Sequence, residues 1–170
     1  MLIIGLGNPG KEYENTRHNL GFYFIDKIKE SLDFPDFKME KKYNALISKK
    51  GDIILAKPQT FMNRSGESVK KLLKNTLIVI HDEVDVKLGQ VKISKNITSH
   101  GHNGVESIIN NIKTKDFTRI RIGIDSEYLK DDLEKEVLKK FNTHEKEVLK
   151  ENESSILEKI IETIENEKNQ

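Results

Sequence analysis

Leu77-Ile78-Val79-Ile80-His81-Asp82-Glu83-Val84-Asp85 opens on four consecutive apolar residues, three of them β-branched, and passes without a turn residue into a histidine and three acids. A short continuous apolar run marks a strand covered on both faces, because such a strand has no solvent side to keep polar. Ile53-Ile54-Leu55-Ala56 reads the same way, and the two runs are the expected centre of a sheet. Outward from them, strands are predicted at 2–5, 44–48, 90–94 and 119–124, with the central strand spanning 77–80. Between the strands, Leu20, Phe24, Ile28 and Leu32 recur at helical spacing, as do Val69, Leu72 and Leu73, and then Val105, Ile108, Ile109 and Ile112. A last helix at about 145–166 carries Leu157, Ile160, Ile161 and Ile164 on one side. Strands alternating with helices predict an α/β fold with helices on both faces of the sheet.

The chain has 170 residues, 35% of them hydrophobic, and three prolines, which suits one domain over 1–170 able to bury its own core. It has no cysteine, so disulfides, zinc–thiolate sites and a cysteine nucleophile are excluded, and a reducing cytosol is the easiest home. No basic leader precedes the first strand and no apolar stretch nears the ~20 residues a membrane helix needs, so a cytoplasmic protein without membrane attachment is expected. The formal charge of +1 averages two unlike parts. Residues 151–170 hold six glutamates and two lysines, net −4, which leaves +5 on the remainder. A modestly basic body with an acidic tail leaves room for one RNA-binding patch, although a solvated charged surface explains the same numbers.

Gly5-Leu6-Gly7-Asn8-Pro9-Gly10 follows the first strand and matches the dinucleotide-binding pattern G-x-G-x-x-G. That pattern works only when a helix begins within the loop and points its amides at a pyrophosphate. Here Lys11 to Asn19 show no apolar period, and Pro9 removes one amide donor. The glycines then serve a tight turn, or the long polar loop holding Asn8, Tyr13, Arg17 and His18 forms one wall of a site for a polar substrate.

His18 lies on that loop, and histidine titrates nearest neutrality, as a general base should. A lone histidine on a loop often does nothing. The acids that follow Ile80 need partners if they are buried. One of them can accept from a ring nitrogen of His18, fixing its tautomer and stabilising the imidazolium, or the acids can simply cap a turn. Asparagines in the segments 57–66 and 99–104 are neutral donors suited to a developing oxyanion. Ser65 lacks the Gly-x-Ser-x-Gly elbow, so activated water is the simpler attacker. A metal held by His81, His100, His102, Asp82 and Asp85 is a further reading, without His-Glu-x-x-His spacing to support it.

Four segments in order carry a resemblance: Gly5-Leu6-Gly7-Asn8-Pro9-Gly10 with Tyr13 and Thr16-Arg17-His18-Asn19-Leu20-Gly21; Lys57-Pro58-Gln59-Thr60-Phe61-Met62-Asn63-Arg64-Ser65-Gly66; His81-Asp82-Glu83-Val84-Asp85; and Gly101-His102-Asn103-Gly104. Together they resemble the bacterial-type peptidyl-tRNA hydrolase family, and the likeness runs through 119–124 and 137–141 to about residue 150. The resemblance implies a mixed, twisted sheet, a monomer, and no metal or other cofactor. It implies His18 as the base that activates water and Asp82 as the residue that orients it. Asn8 is then expected to favour substrates with an acylated amino group, which as a neutral amide can donate to Asn8 where a free ammonium would be costly to desolvate. Asn63 and Asn103 hold the substrate and its scissile carbonyl, Tyr13 and Phe61 line the tRNA site, and Met62 packs beside His18. The implied partner is peptidyl-tRNA, met at its acceptor end and 3′-terminal adenosine, with Lys92, Lys95 and Arg121 as the expected phosphate contacts. The sequence departs from the family pattern at Asn96-Ile97-Thr98-Ser99-His100 and at Asp125-Ser126-Glu127, both near the expected tRNA entrance. A metal-dependent hydrolase and a non-catalytic tRNA-binding module are the alternatives.

Overall fold

The structure, a computed structural model, describes residues 1–127 and 132–169. Its strands are β1 (Leu2–Gly5), β2 (Lys38–Glu40), β3 (Ala45–Lys50), β4 (Ile53–Pro58), β5 (Leu77–Lys87), β6 (Val91–Lys95) and β7 (Thr118–Asp125). They form one sheet in the order β2-β3-β4-β1-β5-β7-β6. β1 pairs parallel with β4 and β5, and β5 parallel with β7. β2–β3, β3–β4 and β6–β7 are antiparallel, which makes the sheet mixed, as the resemblance implies.

The helices are α1 (Leu20–Ser31), α2 (Ser65–Leu72), α3 (Asn103–Ile112), α4 (Leu133–Glu136) and α5 (Thr143–Lys168). Alternation along the central strands divides the core. Ile3, Ile78 and Ile80 pack with Phe24, Ile25 and Ile28 of α1 and Ile156, Ile160 and Ile164 of α5. Leu2, Ile4, Leu77 and Val79 point the other way, to Val69 and Leu72 of α2 and Val105 and Ile108 of α3. Both faces are thus covered, and the apolar run that opens β5 has no polar side for that reason.

β5 and β2 differ most from expectation. β5 does not end at Ile80 but continues to Lys87, so His81, Asp82 and Glu83 are strand residues, all buried, rather than part of a loop leaving its end. The charges are tolerated in mid-sheet because each finds a partner, and Val84 and Val86 keep the period of two beyond them. The three-residue edge strand β2 was not expected at all. Lys38-Met39-Glu40 is wholly exposed and has no buried face to impose alternation.

α1 lies unusually close to β1. A Cβ on Gly5 would come within 2.3 Å of the Gly21 carbonyl oxygen, and one on Gly21 within 2.4 Å of the Leu6 amide and the Ile80 oxygen. This approach sets the turn that carries His18 directly beside β5. The capping box of α5, Asn142 with Glu145, starts that helix slightly earlier than the sequence suggests.

Candidate active site

The loops after β1 and β4 and the residue capping α3 converge at the carboxyl ends of the parallel strands, the usual place for a site in an open α/β sheet. The glycine loop opens no helix. It runs through a 3-10 turn at Lys11–Tyr13 and a second at Arg17–Asn19 before α1 begins at Leu20. A nucleotide cradle is therefore not built here, and Gly10, with φ 116°, serves the turn.

Asp82 is the hub of the site. The Nδ1 of His18 lies 3.0 and 2.9 Å from its two carboxylate oxygens. The Nε2 of His102 lies 3.0 Å from Oδ1. His102 is the N-cap of α3, and its Nδ1 accepts from the Gly104 and Val105 amides at 3.2 and 3.4 Å. That capping fixes the tautomer of His102 by network logic: Nε2 carries the proton and donates to Asp82. His18 likewise donates from Nδ1, which leaves its Nε2 lone pair with no hydrogen-bond partner among the described residues. His81 donates from Nδ1 to the Asp82 carbonyl at 2.6 Å and accepts at Nε2 from the buried Arg119 at 3.0 Å. The imidazole of His102 also lies between the other two, tilted against His18 at 4.9 Å and edge-on to His81 at 4.6 Å between ring centres.

These contacts set the charges. Burial alone would push the Asp82 carboxyl up, but the His18 and His102 imidazoles outweigh it and hold Asp82 below the ordinary carboxylate range. Burial pulls His18 down, and the charge and hydrogen bonds of Asp82 more than reverse that, so its pKa is raised above 6.5. Burial, reinforced by His102 and Arg119, holds His81 well below that value, in keeping with its neutral donor–acceptor role. Burial lowers Arg119 to about 10.

Asn8 is fixed from three sides. Its amide donates to the Asn19 Oδ1 at 2.8 Å, the Asn19 Nδ2 donates to its carbonyl at 2.9 Å, and its own Oδ1 accepts from the Met62 amide at 2.7 Å. The last contact leaves Nδ2, a donor, as the side-chain group open to a ligand. Met62 is buried in the α2–α3 core and meets Gly104, where an added Cβ would lie 2.4 Å from its sulfur. Asn63 follows it, exposed, in a 3-10 turn at Met62–Arg64, and Asn103 is exposed at the first position of α3. Tyr13 and Phe61 meet edge to face with centroids 6.3 Å apart, and Phe61 is 55% exposed. A cleft of about 840 Å³ shares Asn8 and Asn19 with this group but is lined by neither His18 nor Asp82.

The basic residues fare unequally. Arg121 spends its guanidinium on Glu83 at 2.8 Å and Ser94 at 3.2 Å. Lys95 pairs with Glu167 at 3.4 Å, so the acidic helix α5 reaches β6. Lys92 is exposed with no ion pair among the described residues. Of the residues in the metal reading, His81 has both nitrogens engaged, while His100 and Asp85 are exposed. The donor atoms that do gather, within 4.8 Å of one another, belong to His18, Asp82 and His102. Two participants escaped the sequence reading. His102 appeared only as a possible metal ligand and inside a motif, and Asn19 only as a neighbour of His18. Each acts through a partner distant in the chain, which spacing does not reveal.

Residues 2–170 match the family model described as peptidyl-tRNA hydrolase. A peptidyl-tRNA hydrolase of Thermodesulfovibrio yellowstonii is 41% identical over 179 residues, covering 95% of this chain and 90% of that protein. One from Ehrlichia ruminantium (strain Welgevonden) is 46% identical over 151 residues, covering 83% of this chain and 77% of that protein. Among solved structures, peptidyl-tRNA hydrolase from Acinetobacter baumannii superposes with a TM-score of 0.85 at 31% identity, covering 99% of this chain and 90% of that one.

Proposed function

This chain belongs to the peptidyl-tRNA hydrolase family and cuts the ester bond between peptide and tRNA; we propose that it does so with water activated by His18, which Asp82 orients. The observation that carries this reading is the His18–Asp82 contact at 2.9 Å: a carboxylate can only accept, so the imidazole proton belongs on Nδ1, and Nε2, with no hydrogen-bond partner among the described residues, is left to accept. Water attacks the ester carbonyl and gives its proton to that nitrogen. Asp82 stabilises the imidazolium, as it would in a triad. The side-chain amide of Asn63 or Asn103 donates to the tetrahedral oxyanion. On collapse the imidazolium returns the proton to the departing 3′-terminal ribose oxygen, releasing tRNA and peptide. In this reading the enzyme is a cytoplasmic monomer that grips the acceptor end, with Tyr13 and Phe61 beside the terminal adenosine. The direct test is cleavage of N-acetylated aminoacyl-tRNA by wild type and His18→Ala. Inhibition by EDTA would point instead to a metal-dependent hydrolase, and binding without turnover to a tRNA-binding module.

Asn8 keeps the preference expected from the sequence, for an acylated amino group, but with the hydrogen bond running the other way. Its oxygen already accepts from Met62, so the side chain meets the substrate as a donor. An acylated amino group offers a carbonyl to Nδ2, whereas a free ammonium offers none and is costly to desolvate beside a donor. Asn8→Asp keeps the contact to Met62 and replaces the donor with an acceptor. The expected result is a fall of about tenfold or more in the ratio of kcat/KM for blocked over free aminoacyl-tRNA. An unchanged ratio would remove Asn8 from specificity.

Lys92 is the best placed of the three expected phosphate contacts, being exposed and without an ion pair among the described residues. Lys92→Ala should reduce the slope of log affinity against log salt by about 0.7–0.9, the value for one phosphate contact. Arg121→Ala should change it less, since that guanidinium is held by Glu83 and Ser94. A slope unaltered by Lys92→Ala would place the RNA elsewhere.

A further inference from the structure

His18 sits in a single 3-10 turn, which supplies few hydrogen bonds of its own. Its position is imposed from the segment before α5. The His18 amide donates to the Val137 carbonyl at 2.8 Å, the Arg17 amide to the Lys139 carbonyl at 3.1 Å, and the Phe141 amide to the Asn15 carbonyl at 3.3 Å. Beside this short ladder the Arg17 side chain turns inward, 3% exposed, to Glu145, which is 0% exposed. Nη2 donates to the two carboxylate oxygens at 2.9 and 2.7 Å, and Nε adds a bond of 3.2 Å to Oε1. Nη1 donates to the Glu136 carbonyl at 3.1 Å. Glu145 is held in turn by the Ser126 hydroxyl at 2.8 Å and the Asn142 amide at 2.9 Å. The guanidinium also lies 5.5 Å from the centre of the Phe141 ring.

A buried ion pair contributes little net stability, because desolvation of both charges offsets their attraction. What a forked Arg–carboxylate pair does supply is a fixed direction. We propose that Arg17, clamped by Glu145, is a positioning residue for the base His18, so that the first turn of the acidic helix α5 holds the catalytic imidazole against Asp82. The inference rests on the reading of His18 as the base. In this arrangement the helix does more than cover the sheet: its N-terminal turn locks the segment 137–141 onto the catalytic turn.

The test compares Arg17→Lys, Arg17→Ala and Glu145→Gln with Ile160→Ala, which loosens α5 in the core far along the helix from Glu145. The readouts are kcat and KM on N-acetylated aminoacyl-tRNA and an NMR titration of the His18 ring. Misplacing a base by a fraction of an ångström to 1 Å should lower kcat by about 10- to 100-fold, with KM within about twofold because binding contacts are untouched. Loosening from Asp82 should also lower the His18 pKa, since burial is then less opposed. Arg17→Lys keeps the charge without the fork and should fall between wild type and Arg17→Ala. Ile160→Ala should lower Tm while leaving kcat and the titration unchanged. If the Arg17 variants do not fold, the isosteric Glu145→Gln carries the comparison. Loss of Tm in the Arg17 and Glu145 variants, with kcat and the His18 titration as in wild type, would overturn the proposal. Full activity of His18→Ala would instead sink the reading beneath it, and the NMR titration separates the two failures.

Discussion

His18→Ala is expected to fold and to cleave N-acetylated aminoacyl-tRNA about 10²- to 10⁴-fold more slowly than wild type, the contribution of one well-placed general base. KM should change little, because the imidazole contacts water and the ester carbon rather than the bulk of the tRNA. The fold should survive, since Asp82 keeps its hydrogen bond from His102. The pH profile adds a second check. Only neutral His18 can accept a proton, and its pKa is raised above 6.5, so the wild-type rate should climb as pH passes that raised value. Stability runs the other way. The His18–Asp82 pair contributes stability that is fully present below the unfolded pKa of 6.5 and lost as pH rises through the folded one. The conditions that favour catalysis are therefore those in which the site holds itself together less strongly. A His18→Ala enzyme as fast as wild type would leave the esterase activity standing and discard this mechanism.

Much of the fold was legible because apolar residues report burial directly. The runs 53–56 and 77–80 could only be covered strands, and the helical spacing of Phe24 and Ile28 or Val105 and Ile108 showed which faces would cover them. What stayed hidden was decided by pairing across the chain. Nothing local distinguishes an Asp82 inside a strand from one in a loop. It stays in β5 because two histidines, 64 and 20 residues away, arrive to accept the cost of its burial. The same holds for Glu83, buried because Arg119 and Arg121 on the neighbouring strand approach to 3.5 and 2.8 Å. β2 escaped for the opposite reason: an exposed edge strand leaves no apolar trace. The assignment of His18 and Asp82 came from motif resemblance and not from periodicity. The direction of the Asn8 amide could come from neither, because it depends on a backbone donor 54 positions away.

That same pairing makes Asp82→Asn the more informative of the two catalytic substitutions. It preserves shape while exchanging one acceptor for a donor, and the site has no freedom to accommodate the exchange. His102 cannot turn its proton elsewhere, because its Nδ1 is committed to the first amides of α3, so Nε2–H must keep an acceptor at the Oδ1 position. The new amide nitrogen is then forced toward His18 Nδ1. A donor there, 2.9 Å from Nδ1, competes with the oxygen at the Oδ1 position, 3.0 Å away, and favours the ring whose proton sits on Nε2, the atom that should take the proton from water. The opposite amide orientation sets its N–H₂ against the His102 N–H and leaves a buried donor unpaired, at about 1–3 kcal/mol. Either way kcat should fall by about 10²- to 10⁴-fold, since the carboxylate charge that stabilises the imidazolium is lost in both orientations and the tautomer in the first. The residual activity should carry its own signature. Without the carboxylate, burial acts on His18 unopposed, so the rising limb of the pH–rate profile should shift to lower pH even as its plateau drops. A variant whose plateau falls while the limb stays at the wild-type position would mean that Asp82 acts on the fold of the site and not on the base. One whose plateau is unchanged would remove Asp82 from the reaction.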